Sequence, residues 1–401
     1  MRIIINECKK ILDIRIILLL GMFSVLYYMT FTQIYLYPTG GQRTNTKYDI
    51  PFTAELVKEW GPKWKVKDEK QYQEKHQELE RDFAKIIKQD QELSKRGIVG
   101  YEVFNKKYEE LGQKTALSKQ EKELDKILEN YVFYNDRTSK IFLDIQALEH
   151  IREFQGYEYG VSDKKYKELK ADGFFDGTKL YQKAIEKRVK RNYTSLVHEG
   201  VFYILQEDMV TIGGLIMICF FALIIPYQVK QRLRQIIPIL ATTKTGRRIY
   251  QIQLIASALV ALFVGILQMA VYGIIWHLKG LSVFWRCESW GIASNSYWCD
   301  KLSFGTYMLL YMALILLFAI ASIVVIDFIG RTIGNYMGAV AVSIPVCGVM
   351  MFLMRKIYYM LFLITNDQAL AYWELYALAA WLIVVFIFYK IRSKRWKRVD
   401  L

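Results

Sequence analysis

The chain predicts an all-α membrane protein: six transmembrane helices, with a mostly helical, partly coiled-coil external domain inserted between helices one and two. Two observations lead there. The sequence is 53% hydrophobic yet carries 54 Lys and Arg among 401 residues. Such amounts fit one chain only when apolar and charged residues are kept apart, and they are. Residues 38–206 are rich in Lys, Glu, Gln and Tyr, whereas Ile, Leu, Val, Phe, Ala and Met dominate from Met209 onward. The second observation is six runs that approach the roughly 20 apolar residues needed to cross a hydrocarbon core as a helix. The short alternating segments of a closed barrel are missing.

The first run is Ile14–Tyr37. Its apolar part is longer than that of a cleaved signal, and no small-x-small site precedes Pro38, so an uncleaved anchor is expected. The second is Met209–Tyr227, the third Ile252–Trp276, the fourth Phe304–Ile326, the fifth Ile333–Met354 and the sixth Tyr372–Tyr389. The expected units are therefore a cytoplasmic amphipathic N-terminus with helix one (1–37), the external domain (38–206), and helices two to six (207–401) with a loop at 228–250.

Short-loop Lys and Arg set orientation. Arg2, Lys9, Lys10 and Arg15 precede the first run. Lys230, Arg232, Arg234, Lys244, Arg247 and Arg248 follow the second, and Lys390, Arg392, Lys394, Arg395, Lys397 and Arg398 follow the sixth. Six crossings put these clusters on one side. The expectation is a multi-pass protein of the cell membrane with both termini cytoplasmic and residues 38–206 extracellular. The pair Arg355-Lys356 runs against the rule.

In the external domain, residues 68–96 look helical. Tyr72, His76, Leu79, Phe83, Ile86, Asp90 and Leu93 fall at alternating spacings of four and three, a seam with two polar interruptions. Ser118 followed by Glu121 is a capping-box pattern, and Leu124, Ile127, Leu128 and Tyr131 then share a face. Short helices are expected from Ser162 and within the segment ending at Tyr193. The domain's aromatics, among them Tyr101, Phe104, Tyr108, Tyr131, Phe133 and Tyr134, suit a helical core better than a ligand surface.

Composition also excludes. The net charge of +15 could suggest nucleic acid, but residues 38–205 hold 32 Lys and Arg against 29 Asp and Glu. The excess lies beside the apolar runs, and no nucleic-acid motif appears. The four histidines are scattered without metal-ligand spacing. No G-x-S-x-G and no P-loop occur, so no catalytic residue, cofactor or metal is assigned to this chain. The tripeptide from Asn192 fits a glycosylation acceptor. Cys287 and Cys299 share one external loop, where a disulfide or two free thiols would both be consistent.

Polar groups inside apolar runs are costly unless satisfied. Gln268 stands out, with Ser257, Asn335 and Ser343 behind it; a substrate path and simple interhelical hydrogen bonding are the two explanations. Asp327 and Arg331 are expected at the cytoplasmic mouth. The glycine pair 213–214, with Gly334 and Gly338, would allow close helix packing, at a dimer face for example.

The stretch Tyr227–Gln251 carries six basic residues and no acidic one. Val229, Leu233, Ile236, Ile237 and Leu240 point to one side of a helix that Pro238 would bend. It could anchor to anionic lipid or dock on a cytoplasmic partner. With its "PILATTKTGRRIY", the basic N-terminus "MRIIINECKKILDIR", the link "DFIGRTIGN" and the segment "RKIYYMLFLITNDQ", the chain resembles the permease subunits of ABC-2 type transporters over essentially its whole length.

That resemblance implies a permease that dimerises with a second copy or a related permease. It also implies pairing with a separate ABC ATPase, which would hold the ATP and Mg. The first cytoplasmic loop would be the coupling element: Gln231, Arg232, Arg234, Gln235, Ile236 and Ile237 in the contact, flanked by Lys244, Arg247 and Arg248. Many relatives have an acid early in this loop, where Gln228, Gln231 and Gln235 stand here. Export by alternating access is implied. The apolar walls suggest an amphipathic peptide or hydrophobic drug as cargo, and some relatives of this layout are linked to sodium extrusion. A ligand sensor that signals without transport is the alternative from another class.

Overall fold

In the computed structural model the residues described are 2–36, 45–65, 68–158, 167, 170–171, 173, 176–189, 193–197, 199–233, 249–289, 296–297, 301–333, 335–365, 367 and 369–399. The architecture is all-α, with two short two-stranded pairings. Six helices are long and apolar enough to cross a membrane, which makes this a multi-pass membrane protein.

Helix α1 (Arg2–Ile11) lies ahead of the first crossing helix, α2 (Ile14–Phe31), which opens at Asp13, where the carboxylate accepts the Arg15 N–H. The predicted run to Tyr37 is broken: α2 stops at Thr32 and a single turn, α3 (Gln33–Leu36), follows. The break has a physical cause, described with the site below.

The inserted domain begins with α4 (Asn45–Trp60) and β1 (Lys63–Lys65). The expected helix over 68–96 divides into α5 (Glu69–Ile87) and α6 (Gln91–Lys95). Asp90 divides them: its carboxylate caps α6 by accepting the Glu92 and Leu93 N–H groups, which ends the seam that begins at Tyr72. Next come α7 (Tyr101–Gly112) and α8 (Lys119–Glu129), whose start is the capping box of Ser118 and Glu121. A π-turn at Asn130–Tyr134 leads into α9 (Asp136–Glu158). Of the two late helices expected, α10 (Lys179–Val189) is found, and residues 162–166 lie outside the described residues. Strand β2 (Tyr193–Ser195) returns antiparallel to β1, pairing Trp64 with Thr194, so the domain's entry and exit are stapled together.

The remaining crossing helices are α11 (Glu199–Leu233), α12 (Ile249–Leu278), α13 (Phe304–Thr332), α14 (Tyr336–Tyr358) and α15 (Trp373–Val399). Strand β3 (Ser296–Tyr297) pairs antiparallel with β4 (Leu363–Ile364) between them. Helix α11 is the hub. Its apolar window is 78% buried, against 17% for α2 and for α15, whose outer faces suit lipid. Its predicted start at Met209 was too late, because Glu207 and Asp208 are accommodated inside the helix.

The glycine pair explains part of this centrality. A Cβ at Gly213 would lie 2.7 Å from the Met354 side chain, and one at Gly214 would lie 2.7 Å from that of Met351. The close approach therefore serves packing within the chain. Gly334 lies outside the described residues.

Two cores result. One runs from the crossing helices up through Ile50, Phe52, Leu56, Trp64 and Tyr72, so the base of the inserted domain is continuous with the bundle. The other, centred on Phe83, Phe104, Leu128 and Phe142, belongs to the distal part. Tyr101 and Phe104 are buried there as expected, while Tyr134 is exposed.

Candidate functional site

The end of the bundle that carries both described chain ends holds a buried polar node. Helix α13 presents Asp327 and Arg331 one turn apart, both almost fully buried. Arg331 Nε donates to both carboxylate oxygens of Asp327 at 2.9 Å. Two neighbouring helices complete the shell. Gln228 Nε2 of α11 donates to Asp327 at 2.6 Å, and Arg331 Nη2 donates to Gln253 Oε1 of α12 at 2.7 Å. Gly330 makes room for this, since a Cβ there would sit 2.9 Å from the Gln228 side chain. Arg331 also lies over the Tyr250 ring at 5.1 Å, and Tyr250 stacks on Tyr389 of α15 at 6.4 Å.

A buried ion pair is tolerated only when its remaining donors and acceptors are met. Here most are, and two are left over. Arg331 Nη1 and the nearby Gln231 Oε1 are buried with no hydrogen-bond partner among the described residues. Arg232 Nη1 closes the end of α13 by donating to the Arg331 and Thr332 carbonyls at 3.1 and 3.0 Å. Helix α1 joins from the side: the Tyr227 hydroxyl donates to Glu7, which Lys10 also binds at 2.6 Å.

The node brackets the basic loop. Gln228, Gln231 and Arg232 stand where the chain leaves α11, and Tyr250 and Gln253 stand where it re-enters α12. Of the expected coupling residues, Gln231 and Arg232 are thus described. Arg234, Gln235, Ile236, Ile237, Lys244, Arg247 and Arg248 lie outside the described residues.

The four polar residues expected along a substrate path are not brought together. Gln268 Nε2 donates to Ser24 Oγ at 2.9 Å and its carbonyl accepts the Tyr28 hydroxyl at 2.7 Å, which ties α12 to α2. Asn335 caps α14, accepting the Gly338 N–H at 2.6 Å. The Ser343 hydroxyl donates within its own helix to Val340 at 2.9 Å. The Ser257 hydroxyl is buried and has no partner among the described residues. Cys287 is buried, with Sγ 3.6 Å from the Leu196 carbonyl oxygen; Cys299 lies outside the described residues.

Sequence inspection missed a second polar cluster, at the domain end of the bundle. Asp208 is fully buried and accepts the backbone N–H groups of Gln33 and Ile34, the latter at 3.1 Å, and the Tyr272 hydroxyl at 3.1 Å. These bonds satisfy the backbone donors that the break after α2 sets free, which is why the first crossing helix can end at Thr32. Glu207 beside it meets Arg355 in a fork with both contacts at 3.3 Å. The available signal was the pair of acids abutting an apolar run without a basic neighbour in sequence.

Among the described residues no group of three or more His, Cys, Asp or Glu side chains could hold a metal ion. No known family pattern, curated protein or solved structure matches this chain.

Proposed function

We propose that the chain is the permease subunit of an ATP-driven exporter of the ABC-2 type, working by alternating access with a separate cytoplasmic ABC ATPase and a second permease copy or relative. The observation that carries the proposal is the buried node around Asp327 and Arg331. It joins three crossing helices at the two roots of the basic loop, and it holds two buried polar atoms there that have no partner among the described residues. A push on the loop reaches α11, α12 and α13 through directed, charge-assisted bonds, which are about twice as strong as neutral ones. Differential binding of the ATPase to two arrangements of these helices would bias the bundle between them. ATP and Mg belong to the partner in this scheme. The side presented to that partner is the cytoplasm, with residues 38–206 outside the cell.

The test is purification of the native complex in mild detergent. An ATPase that co-purifies, and is lost when Arg232, Arg234, Arg247 and Arg248 are reversed in charge, supports the proposal. Recovery of a kinase, or of no nucleotide enzyme, sinks it. An amphipathic peptide or hydrophobic drug is the proposed cargo. Stimulation of the complex by sodium alone would replace it with ion extrusion.

A second reading, a ligand sensor without transport, is favoured by the shared core. Trp64 and Tyr72 of the inserted domain pack in the same cluster as the crossing helices, and Lys63 of β1 binds Glu288 beside them at 2.7 Å. A ligand that tilted the domain would move the bundle directly.

A further inference from the structure

Arg355 and Lys356 stand at the domain end of the bundle, away from the basic clusters at the other end. They close α14, after which the chain turns back through Tyr359–Tyr372 into α15. Phe362 and Tyr372 hold φ of 61° and 54° in this turn, a left-handed backbone that costs a non-glycine residue energy and persists only when its surroundings impose it. Between the end of α14 and the turn lies a cavity of about 610 Å³, within the range of small-molecule sites. Phe352, Met360, Leu363 and Trp373 give it apolar walls, and Arg355 and Lys356 supply its cations.

The two cations differ. Arg355 is answered by Glu207 and lies 4.8 Å over the Tyr359 ring. Lys356 has no carboxylate within ion-pair distance among the described residues, and its ammonium lies 5.8 Å from the Phe352 ring. The site therefore combines a positive charge that no carboxylate answers among the described residues, an apolar cleft and the end of a membrane-crossing helix.

The geometry points to a binding site for an anionic phospholipid of the leaflet at the domain end, with its phosphate at Lys356 and an acyl chain along Phe352, Met360 and Trp373. A zwitterionic lipid brings its own cation to the phosphate and gains less from Lys356. The site stands apart from the node at the other end and does not depend on transport.

The experiment uses the full chain in vesicles that contain brominated phosphatidylglycerol or brominated phosphatidylcholine. Trp373 emission is isolated as wild type minus Trp373→Phe, since the chain has 9 Trp. Half-quenching is expected at about fivefold lower mole fraction of the anionic lipid, the factor one lysine near an anionic surface contributes. Lys356→Gln should erase the preference and Lys356→Arg should keep it. Equal quenching by both lipids, or an unchanged preference in Lys356→Gln, overturns the assignment. Excess inorganic phosphate should leave the preference intact; its loss would mark a site for free anions and overturn the lipid as occupant.

Discussion

The distal part of the inserted domain and the basal end of the bundle solve opposite problems. In the domain, apolar groups go inward and most charges stay at the surface, with Asp144 a buried exception. Phe83 meets Phe104 edge-on at 5.2 Å and Tyr101 at 5.9 Å, while polar side chains cap helix ends at Asp90 and Ser118. In the bundle, lipid surrounds the helices, so apolar burial discriminates little between arrangements. There the polar groups go inward, and Asp327, Arg331, Gln228 and Gln253 fix which helix faces which. Water drives the first core, and directed bonds specify the second.

The largest effect expected is at the node. Asp327→Ala leaves Arg331 buried without its partner and should cost about 3–5 kcal/mol, read as a fall in thermal midpoint of the detergent-purified chain. The paired replacement Asp327→Leu with Arg331→Met should recover most of that loss. If the single change is silent, water reaches the node and the contrast between the two cores fails.

In the distal core, Leu128→Ala removes a fully buried side chain and should cost about 2–5 kcal/mol, depending on how far the site collapses. Limited proteolysis should then cut the distal domain while the crossing helices remain protected. Simultaneous loss of both would show that the two cores unfold as one.

Asp208→Ala should cost about 1–3 kcal/mol, because it strands the Gln33 and Ile34 N–H groups in a buried position. Faster amide exchange confined to residues 32–36 is the readout that distinguishes local fraying from a global effect.

The smallest effect concerns pH. The Asp90 carboxyl sits below its ordinary 3.8 because the Tyr131 hydroxyl and two helix amides bond to the charged form. A depressed acid stabilises fully above its unfolded value, and that contribution fades as pH falls below 3.8 toward the folded value. Tyr131 is pushed up to about 12, by burial first and by Asp90 second. Its raised value stabilises below pH 10 and is lost as pH climbs toward 12. Asp90→Asn should flatten the acid limb of the distal domain's melting profile, while an unchanged limb would assign that acid sensitivity to other carboxylates.

The fold was legible where one period or one composition dominated. Long apolar runs announced the crossing helices, and Ser118 with Glu121 announced the start of α8. Helix ends were less visible, because they depend on partners distant in sequence. The stop at Thr32 needs Asp208, and the extension of α13 to Thr332 needs Gln228 and Gln253 to meet the charges it brings and Arg232 to bind its last carbonyls. The division of α5 from α6 was hidden by the seam itself, which continues in spacing through Asp90 while the backbone turns there. At the site, Asp327 and Arg331 were noticed together, but their shell lies about 75 to 100 residues away in sequence, beyond any local spacing rule. Gln268 was legible as a polar group in an apolar run, and its bond to Ser24 makes it a tie between helices.

Helix α11 carries Glu207 and Asp208 about two turns after its start at Glu199 and Gln228, Gln231 and Arg232 at its other end, without interruption by a loop. From Asp208 to Arg232 the helix rises about 36 Å, with Pro226 inside that span. Such a span would work as a lever: a tilt of about 10° around one grip sweeps the other through about 6 Å, from the same helical rise. Slack at either grip would waste that stroke, so loosening Asp208 should blunt, at the far tip, whatever motion begins at the basic loop.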